Sequence, residues 1–404
     1  MALEQAPALK VGDRIEVTIE KVAHGGHFIA RHNGAVIFVR HAIEGETCTI
    51  ELTSVGTSFS RADVISINTP SEFRVDSPCS FSHPNGCGGC DFQHISEAHQ
   101  RTLKSQVITE QFARIAKMDL TVEVEKVGES SKWRTRAIAT TNKEGKLGFY
   151  KSRSHTVMPV TDCNICIDTV GIHELSQKSL KPDFRVEISA SNTGERTIAL
   201  ASAIGKERAR ITEGPAILHE KVLDKTLEVS HESFWQGNKN APEILSKTVL
   251  DFGGFKDGDH VLDLYGGAGL FTAAVIDVIG QSGHVDLIEG SKAATNDAAR
   301  NFISYSNVEI ITGDVAKHLP RISSADVIVL DPPRDGAGKE VVAQIARLGP
   351  RSIVYVACDP AALARDTAYL AHHSFSLIKI RAFDLFPMTH HIECVALYAQ
   401  TDVS

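Results

Sequence analysis

The 404-residue chain contains no apolar run approaching the roughly 20 residues that cross a bilayer. Its first residues, MALEQAPALKVGD, lack the basic patch and apolar core of a secretory signal. Together these absences argue for a cytoplasmic protein without a membrane partner. Positive charge is not in excess, since 42 Lys and Arg stand against 50 Asp and Glu for a net charge of −8. A uniformly basic nucleic-acid binder is thereby excluded. Internal repeats and low-complexity tracts are absent, which excludes a solenoid. Cysteine is scarce, at 8 residues, yet three of them crowd into CSFSHPNGCGGC, residues 79–90. In a reducing compartment such crowding speaks for metal ligands or catalysts before disulfides. Disulfide partners, zinc ligands, iron–sulfur ligands and core thiols all remain readings at this point.

Length implies two or three domains. Residues 10–67 alternate apolar and polar positions in five runs: RIEVTIEKVA, HFIARHN, AVIFVRH, CTIELTSV and RADVISI. Gly25-Gly26 and Asn33-Gly34 mark turns between them. A five-stranded barrel of the small nucleic-acid-binding kind is the natural closure. The cysteine segment follows, and then a stretch with helical apolar spacing, ISEAHQRTLKSQVITEQFARIAK. Strands and turns return from 120 to about 215. This part holds a basic run, with Lys132, Arg134, Arg136, Lys143, Lys146, Lys151 and Arg153 against the single acid Glu144. Trp133 and Tyr150 lie among these residues. The run reads either as a solvated hairpin face or as a phosphate-binding surface with aromatic platforms.

After about 230, the apolar strands VLDLY, HVDLIE, VEIIT, DVIVLD and SIVYVA alternate with helical segments. That rhythm predicts a doubly wound, Rossmann-like α/β sheet. VLDLY runs into Gly266-Gly267-Ala268-Gly269, a turn that lets a ligand approach a helix amino terminus. Dinucleotide-binding domains share such a turn. The acids at later strand ends sharpen the reading: Glu289 for ribose hydroxyls, then Asp314, then Asp331 in LDPPR. Each alone could be a helix cap, but the series suits a nucleoside bearing a positive sulfonium, S-adenosylmethionine. Cys358, at the end of the next strand in VYVACDP, is placed as a nucleophile; its bland reading is a buried small residue. Glu393, in FPMTHHIECVAL, is a proton acceptor if it faces the same crevice.

The elements SFWQGN, LDLYGGAGLFT, LIEGS, TGD, LDPPR, YVACDPAALARD and THHIECVAL resemble, in order, those of the RNA uridine-5-methyltransferases. That family makes 5-methyluridine in bacterial ribosomal and transfer RNA. Residues 1–70 are similar to the TRAM barrel fused to many of these enzymes. Residues 71–225 are similar to the central RNA-facing part, with a cluster-binding segment, and 226–404 to the S-adenosylmethionine-dependent methyltransferase domain. The resemblance implies Cys358 as nucleophile, Glu393 as base and Asp331 as the orienting carboxylate. It implies cofactor contacts at Gln236, Tyr265, Gly267, Gly269, Glu289, Asp314 and Asp331, and an RNA-facing aromatic at Phe234. It turns the basic run, with Lys132, Trp133, Arg134, Arg136, Lys151 and Arg153, toward RNA. Cys79, Cys87, Cys90 and Cys163 align with the ligands of a 4Fe–4S cluster, Cys166 packing beside them. Zinc on the Cys163/Cys166 pair and the earlier cysteines is the alternative. Ribosomal RNA is the favoured substrate, with transfer RNA the other, and a monomer is expected. A non-catalytic RNA chaperone with this fold would need neither Cys358 nor Glu393. Cytosine-5 enzymes of the DNA type carry their nucleophile after a proline, which is missing here.

Overall fold

The computed structural model describes residues 9–205 and 207–400. Strands β1 (Arg14–Ala23), β2 (His27–His32), β3 (Ala35–Arg40), β4 (Thr47–Val55) and β5 (Ser60–Thr69) close into a barrel in the order β1-β2-β3-β5-β4. Alternation along them sends Val17, Ile19, Phe28, Ile37, Val39 and Ile50 inward. The expected five strands are all present. Helix α1 (Glu97–Gln111) then crosses from the barrel to the carboxy-terminal half and ends in a π-helical turn, Phe112–Ala116. Its Leu103, Val107 and Ile108 join barrel residues and sheet residues such as Leu262 and Tyr355 in one continuous core.

After the short β6 (Val124–Lys126) comes an antiparallel sheet built from β7 (Arg136–Thr141), β8 (Leu147–Tyr150), β9 (Val157–Pro159), β10 (Phe184–Ala190), β11 (Arg196–Ser202) and β12 (Arg210–Glu213). Its order is β12-β11-β10-β7-β8-β9, with the small helix α2 (Ile172–Ser176) packed near it. The hairpin of β13 (Ile217–Val222) and β14 (Lys225–Ser230) leads through α3 (Ala241–Gly253) into the last sheet. The elements of that sheet are β15 (His260–Leu264), α4 (Leu270–Ile279), β16 (His284–Glu289), α5 (Lys292–Asn301), β17 (Val308–Thr312), α6 (Val315–His318) and β18 (Val327–Leu330). They continue with α7 (Gly338–Leu348), β19 (Ser352–Ala357), α8 (Pro360–Ala371), β20 (Phe375–Asp384) and β21 (Glu393–Gln400). The strand order is β17-β16-β15-β18-β19-β21-β20-β6, with β21 antiparallel to both neighbours. Val124–Lys126, from the middle of the chain, therefore completes the carboxy-terminal sheet as its eighth strand. Three residues carry no periodicity by which a sequence could assign them. The central strands are apolar on both faces, as a sheet covered by helices requires. No described helix is long and apolar enough to cross a membrane.

Candidate active site

The insertion of β21 beside β19 sets the geometry of the crevice. In register, Ala357 pairs with Cys394, so Cys358, one residue beyond, lies beside Glu393 on the neighbouring strand. Strand β18 is parallel to β19 on its other side, and Asp331 follows its last residue. Three adjacent strand ends thus present a carboxyl, a thiol and a second carboxyl to one cleft of about 1300 Å³. The same cleft is lined by Gln236, Tyr265, Gly267, Glu289 and Asp314, with Phe234 on its wall. Phe234 is 71% exposed, a large apolar ring left open at a polar cleft.

Local structure explains why these residues sit where they do. The chain leaves β15 through Tyr265, at φ 60°, and Gly267, at φ 57°. The turn is pinned to the next strand, since Glu289 accepts from the amides of Gly267 at 3.1 Å and Ser291 at 2.6 Å. Gly269, also with positive φ, is not among the residues that line the cleft. A side chain there would collide with the ring of Phe302. Gly269 lies at the start of α4, where the close ring of Phe302 leaves room for glycine alone. Asp263, one strand turn earlier, escaped the sequence reading. It is buried, accepts from the Thr272 amide at 2.9 Å and hydroxyl at 2.7 Å, and keeps Oδ1 unpartnered. Its only signal in sequence is a carboxylate inside an apolar strand.

The electrostatics of the cleft are dominated by like charges in a poorly solvated space. Burial, and then the neighbouring Asp331, raise Glu393 well above the carboxylate range. Asp331 is itself raised by burial and by Asp263, and is relieved in part by the Gln236 amide, which donates to it at 3.3 Å. Burial, Glu393 and Asp331 push the Cys358 thiol from 9.0 to about 12, against the pull of Arg334. Such a site holds protons until a positive charge arrives, and suits a cationic ligand. His391, also absent from the sequence reading, lines the cleft with a Nδ1 3.3 Å from Arg334 Nη2, and burial drops it to about 3.

The five cysteines Cys79, Cys87, Cys90, Cys163 and Cys166 line a second, smaller cavity together with Arg134. None of the described cysteines forms a disulfide. Hydrogen-bond donors are aimed at four of the sulfurs: the amides of Phe81 and Ser82 at Cys79, that of Gly89 at Cys87, the Gln93 side chain at Cys90, and the amides of Ile165 and Cys166 at Cys163. Cys163 is lowered, because the Cys166 thiol and these amides donate to it, whereas Cys166 is raised by donating. Burial nonetheless raises Cys79, Cys87 and Cys90, and Cys163 alone is lowered, so the fit to a thiolate-bound metal group rests on four sulfurs facing one small cavity with donors beside them, Cys166 standing apart as a donor. The segment is packed onto the loop that precedes β21, residues 385–392: Cys90, Trp133, Ile165 and Met388 form one cluster, with Phe386 against it. A separate group, His260 and His284 on either oxygen of Asp286 at 2.9 Å, lies at the starts of β15 and β16, away from the cleft-forming ends.

The basic run divides. Arg134 and Arg136 line the large cleft, whereas Lys132, Lys151 and Arg153 do not. Lys132 pairs with Asp168 at 2.9 Å. Arg136 donates to the Ser233 carbonyl at 3.0 Å, and its Nε and Nη2 have no partner among the described residues. Burial lowers it to about 10. Trp133, expected as an RNA platform, is only 2% exposed and stands edge-on to Phe386 at 5.8 Å. Its ring packs between the cysteine segment and the loop of residues 385–392, touching the wall of the large cleft but with almost no exposed face for stacking. That expectation is corrected.

A methyltransferase sheet with this cleft, joined to a closed amino-terminal barrel, defines a class: RNA methyltransferases that carry a TRAM domain. Residues 8–65 match the TRAM domain family, 318–401 the tRNA (Uracil-5-)-methyltransferase family, and 219–358 the protein-L-isoaspartate(D-aspartate) O-methyltransferase family. An uncharacterised RNA methyltransferase of Streptomyces avermitilis is 40% identical across 96% of this chain and 98% of its own. One from Streptomyces coelicolor is 38% identical across 97% and 94%. Among solved structures, the tRNA (uracil-54, C5)-methyltransferase of Pyrococcus abyssi, in complex with S-adenosyl-L-homocysteine, matches with a TM-score of 0.74 at 19% identity. The match covers 95% of this chain and 99% of that one, and establishes the shared fold. The chain belongs to the RNA uracil-5-methyltransferase family, and is an RNA methyltransferase of that kind.

Proposed function

We propose that the enzyme methylates carbon 5 of one uridine in structured RNA, 23S ribosomal RNA by preference, through a covalent Cys358–uracil adduct. The observation that carries this reading is the placement of Asp331, Cys358 and Glu393 at three adjacent strand ends around one cleft. Carbon 5 of uracil is a weak nucleophile. Addition of the Cys358 thiolate to carbon 6 converts the ring to an enolate whose carbon 5 accepts the methyl group. The Glu393 carboxylate then removes the carbon-5 proton, and elimination of the thiolate restores the ring and the enzyme. S-adenosylmethionine supplies the methyl group, and Gln236, Tyr265, Gly267, Glu289, Asp314 and Asp331 are the residues that would hold it. The target base is hidden in stacked RNA, so it must be flipped out, with exposed Phe234 beside the vacated position. Arg134 and Arg136 supply positive charge to the RNA side of the cleft.

Cys79, Cys87, Cys90 and Cys163 would hold a 4Fe–4S cluster, with zinc as the alternative occupant. Methyl transfer needs no electron, so the group would hold structure or position RNA. A transfer-RNA uridine is the second reading, favoured by the substrate of the Pyrococcus abyssi enzyme. Mapping 5-methyluridine in ribosomal and transfer RNA from cells lacking the gene separates the two. Cys358→Ala is expected to abolish methyl transfer and leave the fold intact, as checked by circular dichroism and tritiated-methyl incorporation. Full activity in that variant refutes the mechanism.

A further inference from the structure

We propose that the barrel holds the nucleophile in place: His24, in the turn between β1 and β2, is a positioning residue for Cys358 that acts through Asp359. This rests on the assignment of Cys358 as nucleophile. Asp359 directly follows Cys358 and caps α8, its Oδ1 accepting from the amides of Ala361 and Ala362 at 2.9 Å each. Its other oxygen, Oδ2, lies 3.1 Å from His24 Nε2. A carboxylate oxygen can only accept, so the imidazole donates. One carboxylate is thereby clamped between a helix start and the barrel, and the backbone carrying the thiol is fixed beside it.

A second contact from the same turn meets the other catalytic strand. Gly26, at φ 78°, lies so close to His390 that a Cβ there would fall 2.8 Å from its Nδ1. His390 is three residues from Glu393, and its Nδ1 is held by Asp91 at 2.6 Å. Asp91 in turn accepts from Arg40 of β3 at 3.3 Å. Between these contacts lies a cavity of about 210 Å³ whose walls include His24, Gly26, Cys358, Asp359 and His390. Cys358, Arg334 and His391 line this cavity and the substrate cleft alike, so the nucleophile is part of the partition between the two. The barrel therefore has a role beyond holding RNA. It supports the catalytic strand ends from behind.

The test compares His24→Ala, His24→Gln and Gly26→Ala with their parent in the full chain. RNA affinity is measured by filter binding, and the rate of denaturation-resistant RNA–protein adduct at saturating RNA is read on denaturing gels, every chain compared, parent included, carrying Glu393→Gln so that the adduct is not turned over. Loss of one side-chain hydrogen bond to a charged group is expected to slow adduct formation about tenfold in His24→Ala with RNA affinity unchanged. Gln, which keeps a donor, restores most of the rate, and Gly26→Ala slows it through the second contact. An adduct rate equal to the parent in His24→Ala overturns the proposal, as does a loss confined to RNA affinity or a Gln variant no better than Ala. Absence of adduct in Glu393→Gln with His24 and Gly26 intact is a different failure, that of the Cys358 assignment itself.

Discussion

The thiol of Cys358 should be reluctant to ionise in the free enzyme, and the size of that reluctance can be worked out. Burial, Glu393 and Asp331 together raise it from 9.0 to about 12. Near neutral pH the thiolate is then rarer than for an ordinary cysteine by roughly two to three orders of magnitude. Because the pKa is raised, the reactive form appears only as pH climbs, and it is still increasing well into the alkaline range. The assay is carbamidomethylation of the Cys358 peptide by iodoacetamide, followed by mass spectrometry across neutral to alkaline pH. The rate is expected to rise about tenfold per pH unit without a plateau near 9. Glu393→Gln removes one of the two like charges, so it should shift the profile to lower pH and speed alkylation at fixed pH. A plateau at 9.0 or below in the wild type, or a slower reaction in Glu393→Gln, refutes the electrostatic account. The same account explains why a cationic methyl donor belongs in this cleft: positive charge beside Asp331 opposes what holds the proton on sulfur.

The remaining predictions concern other parts of the machinery. Glu393→Gln should accumulate a covalent RNA–protein adduct visible on denaturing gels, because carbon-5 proton removal is blocked after methyl transfer; a variant that turns over normally removes Glu393 from the mechanism. Cys163→Ser should lose the brown colour and iron of anaerobically purified protein, while Cys166→Ser keeps both; the reverse pattern, or a colourless wild type with stoichiometric zinc, overturns the ligand set. Lys104 of α1 is buried and donates to Asp384 at 2.6 Å and to the Phe386 carbonyl at 3.1 Å. Lys104→Ala should cost about 3–5 kcal/mol in urea unfolding, since it strands a buried carboxylate.

Much of the fold was legible because local chemistry and global architecture agree. Alternation announced the barrel, and continuous apolar runs bounded by glycine and acids announced the covered parallel sheet. What stayed hidden was pairing across long sequence separation. Val124–Lys126 is too short to carry a pattern, and its place beside β20 is set by tertiary packing alone. Trp133 was misjudged because charge density in a run of residues does not say which way each side chain faces. Its amide and that of Arg134 bond to the Ile165 carbonyl, and this pairing turns the indole inward. His24 and Asp359 lie 335 positions apart in the chain, and neither sits in a motif that names the other.

The chemistry of the cleft follows from one topological choice. Had β21 joined the sheet parallel to β19, its carboxyl end would have faced the crevice and Glu393, its first residue, would have opened on the opposite edge. The antiparallel insertion instead brings the amino-terminal end of β21 to the carboxyl end of β19, so that a thiol and a carboxyl meet across one strand spacing. The cost is a pair of buried acids: burial and Asp331 raise Glu393, burial and Asp263 raise Asp331, and both acids raise the thiol between them. For the mechanism proposed above that cost is also a resource. A carboxyl held above its usual range is a strong proton acceptor once ionised, which the proposed abstraction from carbon 5 would demand. A thiol held above its usual range ionises most readily where positive charge is at hand, which ties the reactivity of Cys358 in that mechanism to its cationic ligand.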